Sequence, residues 1–120
     1  MRLRLVLGMA LVLVATMALP ASASPSHTSA TYTNNGCGWS GYHNYDESGS
    51  DSFAEAITYK RGGNCVEVSV RMKYDSTTTG YNYGSWKARL YHTGWSLDFK
   101  WSDHNADPLG PPPYVGFRMY

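Results

Sequence analysis

From Phe53 onward, apolar and polar residues alternate with a period of two, the pattern of half-buried strands. No segment after Ala23 repeats at helical spacing, and glycines interrupt the chain often. Two pairs of alternating segments predict two hairpins. A two-residue turn at Gly62-Gly63 sets Tyr59 opposite Val66, Ile57 opposite Val68 and Phe53 opposite Met72 on an apolar face. The other face then pairs Thr58 with Glu67, Ala56 with Ser69 and Ala54 with Arg71. Glu55 breaks the rule, since it falls opposite Val70 on the apolar side. A second turn at Thr93-Gly94 pairs Leu90 with Leu97, Ala88 with Phe99 and Trp86 with Trp101, and closes that face with His92 against Trp95. Its polar face carries Tyr91 with Ser96, an attractive Arg89–Asp98 pair and a repulsive Lys87–Lys100 pair.

The flanks predict further elements. Gly36 to His43 reads as an irregular, Gly-rich first strand, and Asp46 to Asp51 as a polar turn. Asp75 to Ser85 reads as a polar loop bearing Tyr81 and Tyr83, and Ser102 to Asp107 as another loop. Pro108 to Pro113 is expected to be an extended polyproline segment. Tyr114 to Tyr120 reads as a last strand with Val115, Phe117 and Met119 on one face. The expected fold is all-β: a small antiparallel sandwich or barrel of about six strands.

The first residues follow a different grammar. Arg2 and Arg4 precede an uncharged apolar run, Leu5 to Leu19, then Pro20 and the small residues Ala21-Ser22-Ala23. That three-part anatomy predicts a signal peptide over 1–23, cleaved after Ala23, and hence a secreted, extracellular protein. Residues 24–35, rich in Ser and Thr, read as a flexible leader, and 36–120 as a single β domain. Cleavage leaves eight basic against nine acidic side chains, so the formal charge of +1 becomes −1. A near-neutral chain lacks the electrostatic footprint of a nucleic-acid binder. No mature segment is apolar and long enough to be a transmembrane helix.

Export also decides the reading of the cysteines. Cys37 and Cys65 permit a single intramolecular pairing, 28 residues apart, and no Cys-x-x-Cys or nearby histidine favours a metal or redox role. A structural disulfide is expected. All 17 aromatic residues lie after Ala23, ten of them Tyr, while Leu is scarce there. Large rings thus supply much of the apolar area that a small domain needs.

Candidate chemistry is sparse. Asp103, Asn105 and Asp107 form a D-x-N-x-D pattern whose oxygens, in a loop, can converge on Ca²⁺. Pro108 and Tyr114 stand where an EF-hand needs Gly and Glu, so an EF-hand is excluded and a looser calcium site competes with a solvated loop. No other cofactor is expected. The neighbours Asp103 and His104 invite a dyad, but adjacent strand residues point apart, and no Gly-x-Ser-x-Gly is present. Glu55 is an anomalous carboxylate: an edge guard, a bulge marker or an acid with a raised pKa. Trp86, Trp95, Trp101 and Phe99 are assigned to the core. Trp39, Tyr42, Tyr45, Tyr81 and Tyr83 are not, and sit among Gly, Asn and Ser, where rings offer rigid contact area for a glycan or an extracellular protein. The alternative is that these rings merely cover the ends of the sandwich. The general look, an exported Tyr- and Gly-rich β domain with one disulfide, resembles small secreted bacterial proteins in style, and the likeness assigns no residue a role. The leading expectation is a non-catalytic binding domain. The rivals are a small hydrolase or metal-dependent enzyme using Glu55 or the Asp103–Asp107 segment, and an inhibitor or antagonistic protein presenting the Tyr or Pro segment.

Overall fold

The computed structural model describes residues 26–34, 36–110 and 113–120. The expected signal peptide and part of the polyproline segment lie outside them. The fold is all-β with nine strands among the described residues: β1 (Ser26–Asn34), β2 (Cys37–Asp46), β3 (Ser52–Gly63), β4 (Cys65–Tyr74), β5 (Thr77–Thr78), β6 (Asn82–Gly84), β7 (Lys87–Gly94), β8 (Phe99–Pro108) and β9 (Val115–Met119). They form two antiparallel sheets, one ordered β1-β2-β3-β7, the other β5-β4-β8-β9 with β6 also on β4. The sheets face each other across a core of Trp39, Val68, Val70, Met72, Leu97 and Phe99. No helix among the described residues is long and apolar enough to cross a membrane.

Neither expected hairpin forms. β3 pairs with β2 and β7, whereas β4 pairs with β8, so Gly62-Gly63 leads the chain from one sheet to the other. Gly63 takes φ +76 with its Cβ position filled by the Gly36 carbonyl oxygen, a conformation and a space that only glycine fits. The bond between Cys37 and Cys65 ties the two sheets together at this crossing. The second pair separates in the same way: β7 lies on β3, and β8 on β4.

The wrong pairing carried a wrong face with it, because a hairpin couples the parity of its two strands. β4 buries Val68, Val70 and Met72 as expected. β3 instead buries Ser52, Ala54, Ala56 and Thr58, small residues that leave room for rings from the opposite sheet, and turns Phe53, Glu55 and Tyr59 outward. Glu55 is therefore no acid on an apolar face. It lies beside Arg89, its cross-strand diagonal neighbour on β7, and forms an ion pair with it. β8 departs from its expected face through a register shift opposite Lys73 and Tyr74. Phe99 stays inside while Trp101 turns outward, and Ser102, His104 and Ala106 become the inner face. Trp86 and Trp95, expected in the core, are 67% and 76% exposed. Trp86 ends up under the Lys60 ammonium, 4.6 Å from its ring centre.

Two further expectations are corrected. Residues 26–34 of the supposed leader form β1, paired along their whole length with β2. Ser102 to Asp107 is not a loop but part of β8, where pairing with β4 throughout, and with β9 as far as Ala106, satisfies its backbone. The last strand is as read, with Val115 and Phe117 packed on the core and Met119 buried.

Between the sheets runs a polar chain. The Thr58 hydroxyl donates to the Ser69 carbonyl oxygen at 2.8 Å, so it must accept from His104 Nδ1 at 2.9 Å. His104 Nε2 is then an acceptor, for the Ser102 hydroxyl at 2.8 Å, and His43 Nδ1 donates to Ser102 at 2.9 Å. The network itself thus assigns both tautomers. Burial, reinforced by the nearby His43, lowers the His104 pKa to about 4, in keeping with this neutral acceptor.

Candidate functional site

The outer face of the second sheet carries a cleft. Its base is one rung across four strands: Tyr83 on β6 pairs with Ser69 on β4, Ser69 with Asn105 on β8, and Asn105 with Gly116 on β9. Side chains of one rung share a face, so three short residues lie between a tall ring and the sheet edge. Tyr81, just before β6, and Tyr114, just before β9, complete the walls. The cleft they enclose with Ser69, Tyr83 and Asn105 measures about 250 Å³, somewhat below pockets for drug-sized ligands and suited to a single ring.

Local structure fixes these groups. Tyr81 and Tyr83 lie 6.2 Å apart between ring centres, and Tyr83 meets Tyr114 edge-on at 6.3 Å. Tyr114 has φ +44 and donates its phenol to Glu67. That hydrogen bond, aided by desolvation, pushes the phenol pKa up to about 12, so the ring stays neutral and pinned. Ser69 is 1% exposed, and its hydroxyl has no partner among the described residues. A buried hydroxyl without a partner is costly, and a ligand or a bound water removes that cost.

The next rung is charged. Arg71, Asp103 and Arg118 stand side by side on β4, β8 and β9. Asp103 accepts from Arg71 Nε and Arg118 Nε, both at 2.7 Å, and from Arg118 Nη2 at 3.1 Å. Burial acts to raise the Asp103 pKa, but the hydrogen bonds from Arg118 and Arg71 together outweigh it and hold the carboxyl below its ordinary value. Arg118 lies over Trp101 at 3.7 Å, while Arg71 sits 4.7 Å from Tyr81 and 5.4 Å from Trp101.

The expected site residues thus separate. Tyr81 and Tyr83 come together in the cleft. Tyr42 lies half-buried on the first sheet, beside Ile57. Tyr45 packs on the core, stacked on Phe99 at 4.6 Å. Trp39, expected outside, is 2% exposed and donates its indole N–H to the His104 carbonyl oxygen at 3.3 Å. Asn105 enters the cleft from the proposed calcium triplet. Asp103 is held by the two arginines, and Asp107 pairs with Glu67 on the following rung. In an extended strand these three residues lie about 6–7 Å apart in succession, too far for short side chains to converge as a loop would make them. Among the described residues no group of three or more His, Cys, Asp and Glu gathers in metal-binding geometry. Asp103 and His104 face opposite sides of β8, one toward the arginines and the other into the core.

Ser69, Tyr114 and Gly116 were missed. Ser69 looked like an ordinary polar position of a hairpin, and Gly116 a strand glycine with no visible purpose. Only the order β6-β4-β8-β9 puts them on one rung. No protein-family model matches the chain, and no curated protein or solved structure matches it.

Proposed function

We propose that this chain is an exported, non-catalytic binding domain that holds a sugar ring of a glycan in the cleft of Tyr81, Tyr83, Tyr114, Ser69 and Asn105. The observation that carries this reading is the pairing of three phenol rings with a buried, unpartnered Ser69 hydroxyl and a carboxamide on one rigid sheet face. Sugars present apolar C–H faces and rings of hydroxyls. Aromatic walls suit the first, and a hydroxyl with an amide suits the second. Ser69, Tyr83 and Asn105 lie within strands, and Tyr81 and Tyr114 each immediately precede one, so little ordering is required on binding. The disulfide is compatible with export to an oxidising compartment.

The test is retention of the oxidised protein on insoluble cellulose, chitin, peptidoglycan and a pectin gel, with Tyr81→Ala/Tyr83→Ala alongside. Retention by at least one polysaccharide, lost in the double variant while its melting temperature holds, is the expected result. Retention unchanged by the variant, or none on any of the four, overturns the glycan reading and turns the search to an extracellular protein partner.

A further inference from the structure

Arg71 gives the cleft a charge preference. This deepens the glycan reading and rests on it. Arg71 lies two residues from Ser69 on the same face of β4, and its guanidinium stands against Tyr81, itself a wall of the cleft. Two guanidiniums share a single carboxylate, Asp103, whose two oxygens are both engaged. Arg118 donates to Asp103 twice and also hydrogen-bonds Tyr120. Arg71 gives Asp103 only its Nε–H, and its side chain is 31% exposed. A guanidinium carries five N–H donors in a planar fork, and among the described residues the Nη donors of Arg71 have no acceptor. The rings of Tyr81 and Trp101 restrict that fork, so presenting it costs little side-chain entropy.

The opposite end of the cleft has the opposite character. There Glu67 accepts from the Tyr114 phenol. The side chains that line the cleft are themselves neutral: three phenols, a hydroxyl and a carboxamide. A ligand bearing one negative group beside a neutral ring fits this field in one direction only, with its anion toward Arg71 and its ring between the tyrosines. A planar carboxylate matches the guanidinium fork by two parallel hydrogen bonds. We infer that the ligand is an acidic glycan and that the cleft takes a hexuronate unit, its carboxylate bound by Arg71.

The experiment is titration calorimetry of the oxidised protein with tetragalacturonate and with the same oligomer after reduction of its carboxyl groups to alcohols. Size, linkage and ring shape are shared, and the two oligomers differ only at C6, where one carries a carboxylate and the other a hydroxymethyl group. The expected result is binding of tetragalacturonate, weakening with salt, and roughly tenfold or more weaker binding of the reduced oligomer. Arg71→Gln is expected to abolish the discrimination, bringing the ratio of the two affinities to within roughly twofold of one. Arg71→Lys, which keeps charge but not the fork, falls between. Equal affinity of the native protein for both oligomers overturns the inference and leaves the cleft reading standing, a comparison that needs no variant to fold. Binding of neither oligomer overturns the inference for hexuronates, and the polysaccharide panel then decides the cleft reading on its own.

Discussion

The carboxamide of Asn105 lies across the backbone of Gly116, in space that a methyl group would otherwise fill. A Cβ built on Gly116 would stand 1.6 Å from Asn105 Oδ1 and 2.8 Å from the His104 carbonyl oxygen. The glycine is therefore what lets Asn105 lie flat as part of the cleft base. Gly116→Ala is expected to push the amide into the cleft and to strain the β8–β9 pairing, at about 1–3 kcal/mol of stability. Urea unfolding measures the cost, and glycan retention measures the lost cleft. Gly80→Ala, whose added methyl meets nothing within 4 Å, is the control for stability. Equal, small effects of both substitutions would show that Asn105 is not seated by Gly116.

Ser69 makes the sharpest separation between a site and a structural role. Its hydroxyl is buried with no partner among the described residues, so within them it carries a desolvation penalty that no bond offsets. Ser69→Ala removes that penalty and is expected to leave stability unchanged or raise it by up to about 1–3 kcal/mol. The same substitution should weaken ligand binding by removing the one hydroxyl in the base of the cleft. Melting temperature and retention on the best polysaccharide are measured on the same sample. A Ser69→Ala protein that is less stable and binds equally well would assign the hydroxyl to structure alone.

The strand content was legible in the alternation, and so were the disulfide and the inward faces of β4 and β9. What the alternation did not specify was pairing. Ala54 and Ala56 looked like solvent-side residues because Phe53, Ile57 and Tyr59 are larger, yet small residues are what a sheet needs opposite Met72, Phe99 and His104. Two misfits pointed to the true arrangement. Glu55 had no place on an apolar face, and Lys87 had none opposite Lys100. Both disappear in the true pairing: on β3 and β7 Glu55 meets Arg89 and Lys87 faces Tyr59, while Lys100, on β8 of the other sheet, pairs with Asp98 at 2.6 Å. The site was half legible for the same reason. Tyr81 and Tyr83 stood out locally as rings without a core assignment, but the rung joining them to Ser69, Asn105 and Gly116 depends on strands up to 47 positions apart, as the Tyr114–Glu67 hydrogen bond illustrates.

The disulfide joins the first residues of β2 and β4, on opposite sheets, where neither strand bonds to the other. It closes a chain segment of 28 residues. Chain entropy alone gives the cross-link about 3–4 kcal/mol. Cys37→Ala/Cys65→Ala is expected to lose about that much in urea unfolding, with most of the far-ultraviolet strand signal retained at low denaturant. A loss well below 1 kcal/mol would mean that the unfolded chain is already constrained near the Gly62-Gly63 crossing.

His104 sets an acid limit on the fold. In the folded chain it is neutral, accepting from Ser102 at Nε2, and its pKa is about 4 against 6.5 when unperturbed. Below pH 6.5 the unfolded chain takes up this proton while the folded chain does not, so protons favour unfolding and stability rises with pH across the window. The contribution is complete above pH 6.5 and is lost progressively as the pH falls toward 4, in total about 3 kcal/mol. Protonation at Nε2 would also remove the acceptor for Ser102 and break the chain that runs from His43 through Ser102 and His104 to Thr58 and the Ser69 carbonyl oxygen. That oxygen belongs to the residue at the base of the cleft, so acid should weaken glycan binding together with the core. Urea midpoints between pH 7.5 and 4, with the His104 ring followed by NMR over the same range, measure both. A His104 ring that titrates near 6.5 in the folded protein, with a flat stability profile, would show that the buried network tolerates the charge.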